Sequence, residues 1–306
     1  MKRLLSVLMI LLLLFPMVLA YADTEEVGFV REVADDEEEV VGVASPAMDM
    51  SLEEYYQENE TLPSELLEDL ELDGPFVPED IPIADPDDKA IIGTDDRIKV
   101  KNNKEYPYSA IGYMMVHASC GCNWTGTAFM VSKRCAMTAA HCLVCVEHGG
   151  KADHIDFYFG YRKGGYVYHY KKGTQYWYGT DFGGGGHTYG AYTDWDYAYL
   201  IFESKVGNKT GWFGLSAPAD PELNAGYYEV CGYRNGDMRK DYTGVAAYNQ
   251  YQFSHWADTK GGYSGCPVFD EDYYVVGINI CETPSTNYAR RITGSLISEM
   301  RANGAF

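Results

Sequence analysis

Acidity in this chain is confined to one stretch, and that divides the chain into three parts. The 306 residues carry a formal net charge of −21. Residues 23–89 hold 24 acids against two bases, Arg31 and Lys89. Residues 90–306 hold 21 acids and 20 bases, a net of −1, with all eight cysteines and 24 of the 27 tyrosines. A near-neutral body of this length can form one domain with a substantial core, or two small barrels. It offers no basic face, so nucleic acid is not an expected partner.

The first part reads as a secretory signal peptide, residues 1–22. Lys2 and Arg3 precede an apolar run, and Ala20-Tyr21-Ala22 has the small-x-small spacing of a cleavage site. The expected product is secreted and extracellular, without membrane attachment once the signal is removed. Export also makes disulfides chemically accessible to the cysteines. Residues 23–89 read as an acidic, removable propeptide. Residues 35–39 are an unbroken acidic run, and Pro75, Pro78, Pro82 and Pro86 disfavour helix before Asp87-Asp88-Lys89. An accessible stretch of this kind suits proteolysis, and the expected cut lies between Lys89 and Ala90.

The body, 90–306, reads as short strands separated by turn signals, for example 97–101, 155–161, 166–171, 198–202, 227–233 and 274–280. Residues 183–186 are four glycines without a phosphate-loop lysine behind them, and read as a loop. Only the end looks helical: Leu296, Ile297 and Met300 share a face and Gly304 stops it. The expectation is an all-β protein with one C-terminal helix.

Three local motifs carry chemistry. Thr138-Ala139-Ala140-His141-Cys142 packs small residues beside a histidine. Asp194-Trp195-Asp196 puts an acid at the mouth of an apolar strand. Gly261-Gly262-Tyr263-Ser264-Gly265 puts a serine in a glycine-rich turn. Each alone is compatible with a packed histidine, a strand cap or an ordinary loop. Together, in the order His–Asp–Ser with separations of 55 and 68 residues, they match one of the known nucleophilic triad orders. A serine nucleophile needs its own N–H and that of the residue two before it to converge on a developing oxyanion. Gly262 and Ser264 occupy those positions.

These motifs make the body resemble the bacterial glutamyl endopeptidases, a branch of the chymotrypsin-like serine peptidases. Ile91-Ile-Gly-Thr-Asp-Asp-Arg97 is similar to the start of the mature enzyme in that branch. Tyr106-Pro-Tyr-Ser-Ala-Ile111, Val206-Gly-Asn-Lys-Thr-Gly-Trp-Phe-Gly214, Cys231-Gly-Tyr233 and Ala289-Arg-Arg-Ile-Thr293 also have counterparts. The resemblance covers residues 90–306. It implies two antiparallel six-stranded β-barrels, roughly 106–204 and 212–292, with the triad between them. It also implies a zymogen acting on polypeptide substrates as a monomer, with no cofactor and no catalytic metal. Carried over, His141 is the general base, Asp196 orients it, Ser264 is the nucleophile, and Gly262 and Ser264 form the oxyanion hole.

Specificity departs from the family pattern. The family reads a substrate carboxylate with a threonine, a histidine and the mature α-amino group. Thr259 matches the first, but the histidine position falls on Asn279. Asp258 stands where trypsin-like enzymes keep the acid that selects Lys or Arg. The leading expectation is cleavage after Glu or Asp. Preference for Lys or Arg through Asp258, or an inactive pseudoprotease acting as a binding module, are the alternatives. Cys120, Cys122, Cys135, Cys142 and Cys145 lie in the first half, and Cys231, Cys266 and Cys281 in the second. Disulfides are expected, with many pairings open. The resemblance implies a bridge from Cys142 to Cys120 or Cys122. Zinc on Cys120, Cys122, Cys142 and Cys145 is the rival reading.

Overall fold

The computed structural model describes residues 29–33, 75, 95, 97–145, 148, 150–162, 165–171, 175–179, 194–282 and 286–306. The signal peptide, most of the propeptide, the Lys89–Ala90 junction and the glycines at 183–186 lie outside the described residues.

Among the described residues, seventeen strands run in chain order. They are β1 (Phe29–Val33), β2 (Ile98–Lys99), β3 (Ile111–Ala118), β4 (Asn123–Met130), β5 (Cys135–Thr138) and β6 (Ala152–Phe159). Next come β7 (Tyr168–Lys171), β8 (Gln175–Gly179), β9 (Ala198–Ile201), β10 (Gly214–Leu215), β11 (Tyr228–Arg234) and β12 (Asp237–Thr243). The last are β13 (Val245–Tyr248), β14 (Gln252–His255), β15 (Pro267–Phe269), β16 (Tyr274–Glu282) and β17 (Asn287–Arg291). Among the described residues, three α-helices accompany them: α1 (Gly207–Thr210), α2 (Asp220–Ala225) and α3 (Gly294–Ala302).

The strands form two sheets. One has eight strands in the order β1-β8-β9-β5-β4-β3-β6-β7. The other has nine, with β13-β14-β17-β16-β15-β11-β12-β2 in a row and β10 pairing parallel to β16. The all-β expectation with a terminal helix holds. Short additional strands raise the count in each sheet above the expected six. One comes from the acidic segment: β1 pairs antiparallel with β8, Phe29 opposite Gly179 and Val33 opposite Gln175. It covers what would otherwise be an open sheet edge.

Alternation explains the strands. In β3, Met114, Val116 and Ala118 are buried, while Tyr113, Met115 and His117 alternate toward solvent. In β6, Ile155, Phe157 and Phe159 point the same way into the core. One continuous core reaches from Met114, Phe129 and Leu200 of the first sheet to Phe269, Val275 and Ile278 of the second. Between them Phe213 packs 5.9 Å from Tyr106 and 4.9 Å from Phe269, ring centre to ring centre. A satellite core joins Leu223 of α2 to Val230, Phe253 and Val268 of the second sheet.

Helix α3 starts at Thr293, whose side chain accepts the Leu296 N–H, and ends before Gly304, which takes φ +78°. Leu296, Ile297 and Met300 are buried as their spacing predicts, each contributing ~2 kcal/mol of apolar burial. Glu299 accepts hydrogen bonds from Tyr197 Oη at 2.9 Å and Tyr199 Oη at 2.8 Å, which ties the helix to β9 and the turn before it. Among the described residues, no helix is long and apolar enough to cross a membrane.

Candidate active site

The site is assembled by strand register. β5 pairs with β9 so that Thr138 stands opposite Ala198. The chain leaves β5 into a 3₁₀ turn, Ala140–Cys142, and enters β9 through Asp196. The register therefore brings His141 and Asp196 together across 55 residues of sequence. Asp196 is 3% exposed, and one of its oxygens accepts the His141 backbone N–H at 2.9 Å. The other lies 2.7 Å from His141 Nδ1. A carboxylate only accepts, so Nδ1 carries the proton and Nε2 is the imidazole's remaining nitrogen. Burial disfavours the imidazolium, but the Asp196 carboxylate, helped by the adjacent Cys142 sulfur, outweighs it and holds the His141 pKa well above the ordinary range.

The serine turn belongs to the second sheet and is seated on the first. Thr127 of β4 donates its N–H to the Ser264 carbonyl at 2.9 Å and its hydroxyl to the Gly262 carbonyl at 2.8 Å. Cys142, next to His141, has its sulfur 3.5 Å from the same Ser264 carbonyl. The three motifs thus meet at one place. Within the turn, Tyr263 N–H bonds the Lys260 carbonyl, Gly265 N–H the Asn279 carbonyl and Cys266 N–H the Tyr263 carbonyl. No backbone partner of this kind is found for the N–H of Gly262 or Ser264 among the described residues. Gly262 has φ +105° and Gly265 φ +83°, a region where a side chain is strained. A Cβ on Gly265 would stand 2.1 Å from Thr138 Oγ1 and 2.3 Å from the Thr127 carbonyl.

Folds of this shape are known. The solved structure of a Glu endopeptidase superposes with a TM-score of 0.61 at 18% identity, covering 71% of this chain and 100% of that one. The protease Anisep from Arthrobacter nicotinovorans gives 0.53 at 20% identity, covering 65% and 96%. In sequence, the glutamyl endopeptidase of Bacillus licheniformis is 29% identical over 187 residues, 60% of this chain. The chain is chymotrypsin-like in fold and resembles the glutamyl endopeptidases. The match spans 55% of that relative's own length. A protein of Bacillus subtilis named an extracellular metalloprotease is 26% identical over 226 residues, 69% of either chain. No protein-family model matches the chain.

In this chymotrypsin-like domain the start of the body reaches the serine turn. Arg97 lies over the Tyr263 ring, 5.3 Å from its centre, and grips Asp95 through Nε at 2.8 Å and Nη2 at 3.0 Å. Lys260 bonds the same carboxylate at 2.7 Å. Hydrogen bonds from these two cations hold the Asp95 carboxyl well below the usual carboxylate range.

The expected specificity residues lie close to the serine turn in chain and space. Thr259 Oγ1 is buried with no hydrogen-bond partner among the described residues. Asp258 is half-buried, and its backbone N–H bonds Asp241 at 2.7 Å. Asn279 is buried, and its amide nitrogen is 3.5 Å from the Tyr263 carbonyl. Its oxygen faces His255 Nε2 at 3.1 Å. Sequence reasoning missed His255. It sits on β14, separated from β16 by β17, and only the sheet order sets it beside Asn279. Burial pushes its pKa down to about 4. A neutral imidazole donating from Nε2 leaves Nδ1 as the acceptor, and that atom has no partner among the described residues.

The cysteine expectations need correction. All eight cysteines are free thiols. The 3₁₀ turn directs Cys142 to the interface between the sheets, so it meets neither Cys120 nor Cys122. Those two converge with Cys145 and His148 instead. His148 thus takes the place that the sequence-based zinc set gave to Cys142. A second group, His117, His154 and Asp156, gathers on β3 and β6.

If Asp196 sets the His141 pKa, Asp196→Asn lowers that pKa, since burial then loses its main opponent. Titration of the His141 ring by NMR in the full chain measures this. An unchanged titration would mean that another group carries the effect.

Proposed function

We propose that this protein is a serine endopeptidase, exported as a zymogen. The carrying observation is the buried Asp196 carboxylate bonded to both the backbone and Nδ1 of His141, beside the glycine-rich Ser264 turn. In this reading Asp196 keeps the proton on Nδ1 and stabilises the imidazolium as it forms. His141 Nε2 takes the Ser264 hydroxyl proton as Oγ attacks the scissile carbonyl. The N–H groups of Gly262 and Ser264 receive the oxyanion. His141 then returns the proton to the leaving amine, and water repeats the sequence on the acyl-enzyme. The fold, and relatives named as endopeptidase and protease, support the same class of chemistry. Ser264→Ala is expected to lower turnover on peptides by several orders of magnitude and to abolish labelling by a fluorophosphonate probe. A parent protein that takes no label would favour the pseudoprotease reading.

We assign the preference to Glu or Asp before the cut. The unpartnered Thr259 hydroxyl supports it. A buried donor without an acceptor costs about 1–3 kcal/mol, and a substrate carboxylate would supply the acceptor. Thr259→Val is therefore expected to weaken cleavage after acidic residues by roughly 1–3 kcal/mol, about five- to 150-fold in kcat/KM. Profiling a peptide library with both proteins tests this. A profile dominated by Lys or Arg would transfer the role to Asp258.

Activation is proposed at Lys89–Ala90. The Asp95–Arg97–Tyr263 contact supports it, because residues just after the junction are anchored on the serine turn. A free α-amine there is mostly cationic at neutral pH and would add charge that the neutral His255–Asn279 pair does not provide. N-terminal sequencing of the active secreted form is expected to read from Ala90 or Ile91. Full activity in uncut protein would remove the N-terminus from the mechanism.

A further inference from the structure

We propose that Cys120, Cys122, Cys145 and His148 form a structural zinc site that clamps the loop following His141. This inference does not depend on the peptidase reading.

The four residues come from two loops. Cys120 and Cys122 sit in the tight turn between β3 and β4, where Ala118 N–H bonds the Cys122 carbonyl at 2.9 Å and Gly121 takes φ +84°. Cys145 and His148 sit in the loop between the His141 turn and β6. There Val144 pairs with Lys151, and Cys145 N–H bonds the Gly150 carbonyl at 2.6 Å. The loops are joined backbone to backbone by Ser119 N–H to the Lys151 carbonyl at 2.9 Å. They also touch at Gly150, where a Cβ would stand 2.5 Å from the Cys120 sulfur. Only a residue without a side chain lets the second loop close on the first.

The distances suit a metal. The one ligand atom offered by each residue lies within 4.8 Å of the other three. His148 Nδ1 is 3.2 Å from Cys122 Sγ and 3.6 Å from Cys145 Sγ. The sulfurs of Cys120, Cys122 and Cys145 face the same centre, each within 4.8 Å of the other two. Zinc bonds of about 2.3 Å to sulfur and 2.0–2.1 Å to nitrogen give tetrahedral edges of about 3.6–3.8 Å. Three cysteines and one histidine closing on a common centre are a full tetrahedral set. A disulfide among the three would strand the third thiol and leave the histidine without a role. On binding, each thiol releases its proton to solvent, and zinc neither gains nor loses electrons.

The site supplies a clamp where the apolar core does not reach. Cys120 and His148 are exposed, Cys122 is half-buried and only Cys145 is buried. Cys145 is four residues from His141, so zinc would tether the far end of that loop to the β3–β4 turn.

The test is metal analysis of the full chain purified without chelator from zinc-containing medium, with thiols counted after denaturation. The expected result is one zinc per chain, eight thiols, and a lower Tm after chelation. Cobalt in place of zinc should give thiolate-to-metal charge-transfer absorption in the folded parent, a reading that needs no variant to fold. Cys122→Ser and His148→Ala should lose the zinc; His148 is exposed, so its variant keeps the fold. His154→Ala, in the neighbouring histidine group, should retain it. The proposal is overturned by a zinc-free protein with fewer than eight thiols, or by zinc that survives His148→Ala and Cys122→Ser. Zinc lost with His154→Ala instead would equally overturn it.

Discussion

Everything at the site rests on one buried seam, where Thr127 of the first sheet holds the serine turn of the second. Its N–H bonds the Ser264 carbonyl and its hydroxyl bonds the Gly262 carbonyl. The same hydroxyl oxygen accepts the Tyr233 N–H at 3.0 Å, and the Thr127 carbonyl accepts the Thr138 hydroxyl at 2.8 Å. One residue thus links β4, β5, β11 and the serine turn. Buried polar groups in such a network are costly to leave unpaired, so the two sheets have one favourable seating. Gly265 lets that seating close, because any side chain there meets Thr138 and Thr127.

Charge is placed around this seam with the same economy. Asp196 is buried and spends both oxygens on His141, which is why it raises the histidine's proton affinity rather than merely pairing with it. Asp95 plays a matching structural part on the other side of the turn, joining Arg97 to Lys260 while Arg97 covers Tyr263. The tyrosine directly precedes Ser264. Here a ring under a guanidinium couples the start of the body to the serine turn through contact.

The sites that escaped sequence reasoning share a cause. His255 lies in Phe253-Ser254-His255-Trp256, which reads as an ordinary alternating strand. Its neighbour Asn279 is 24 residues away, and the order β14-β17-β16 decides that they meet. Thr127 looks like one more strand threonine. Cys142 and Cys145 look equivalent in spacing, yet one turn of 3₁₀ helix sends the first to the sheet interface and leaves the second near His148. The strand Phe29–Val33 was hidden because its support is a partner edge far along the chain.

What the sequence determined by itself is the material that is local: short alternating strands, the capped helix at Leu296–Met300, and three contiguous motifs bearing His141, Asp196 and Ser264 in a recognisable order. Backbone preference and side-chain alternation act over a few residues, so they are legible without a fold. The tertiary structure alone decided which side chains face each other across strands and loops. It chose the Thr127 seam, the His255–Asn279 pair and the convergence of Cys120, Cys122, Cys145 and His148. Those contacts depend on sheet register and on close approach at glycines, which are set by packing over the whole domain rather than by any neighbouring residue.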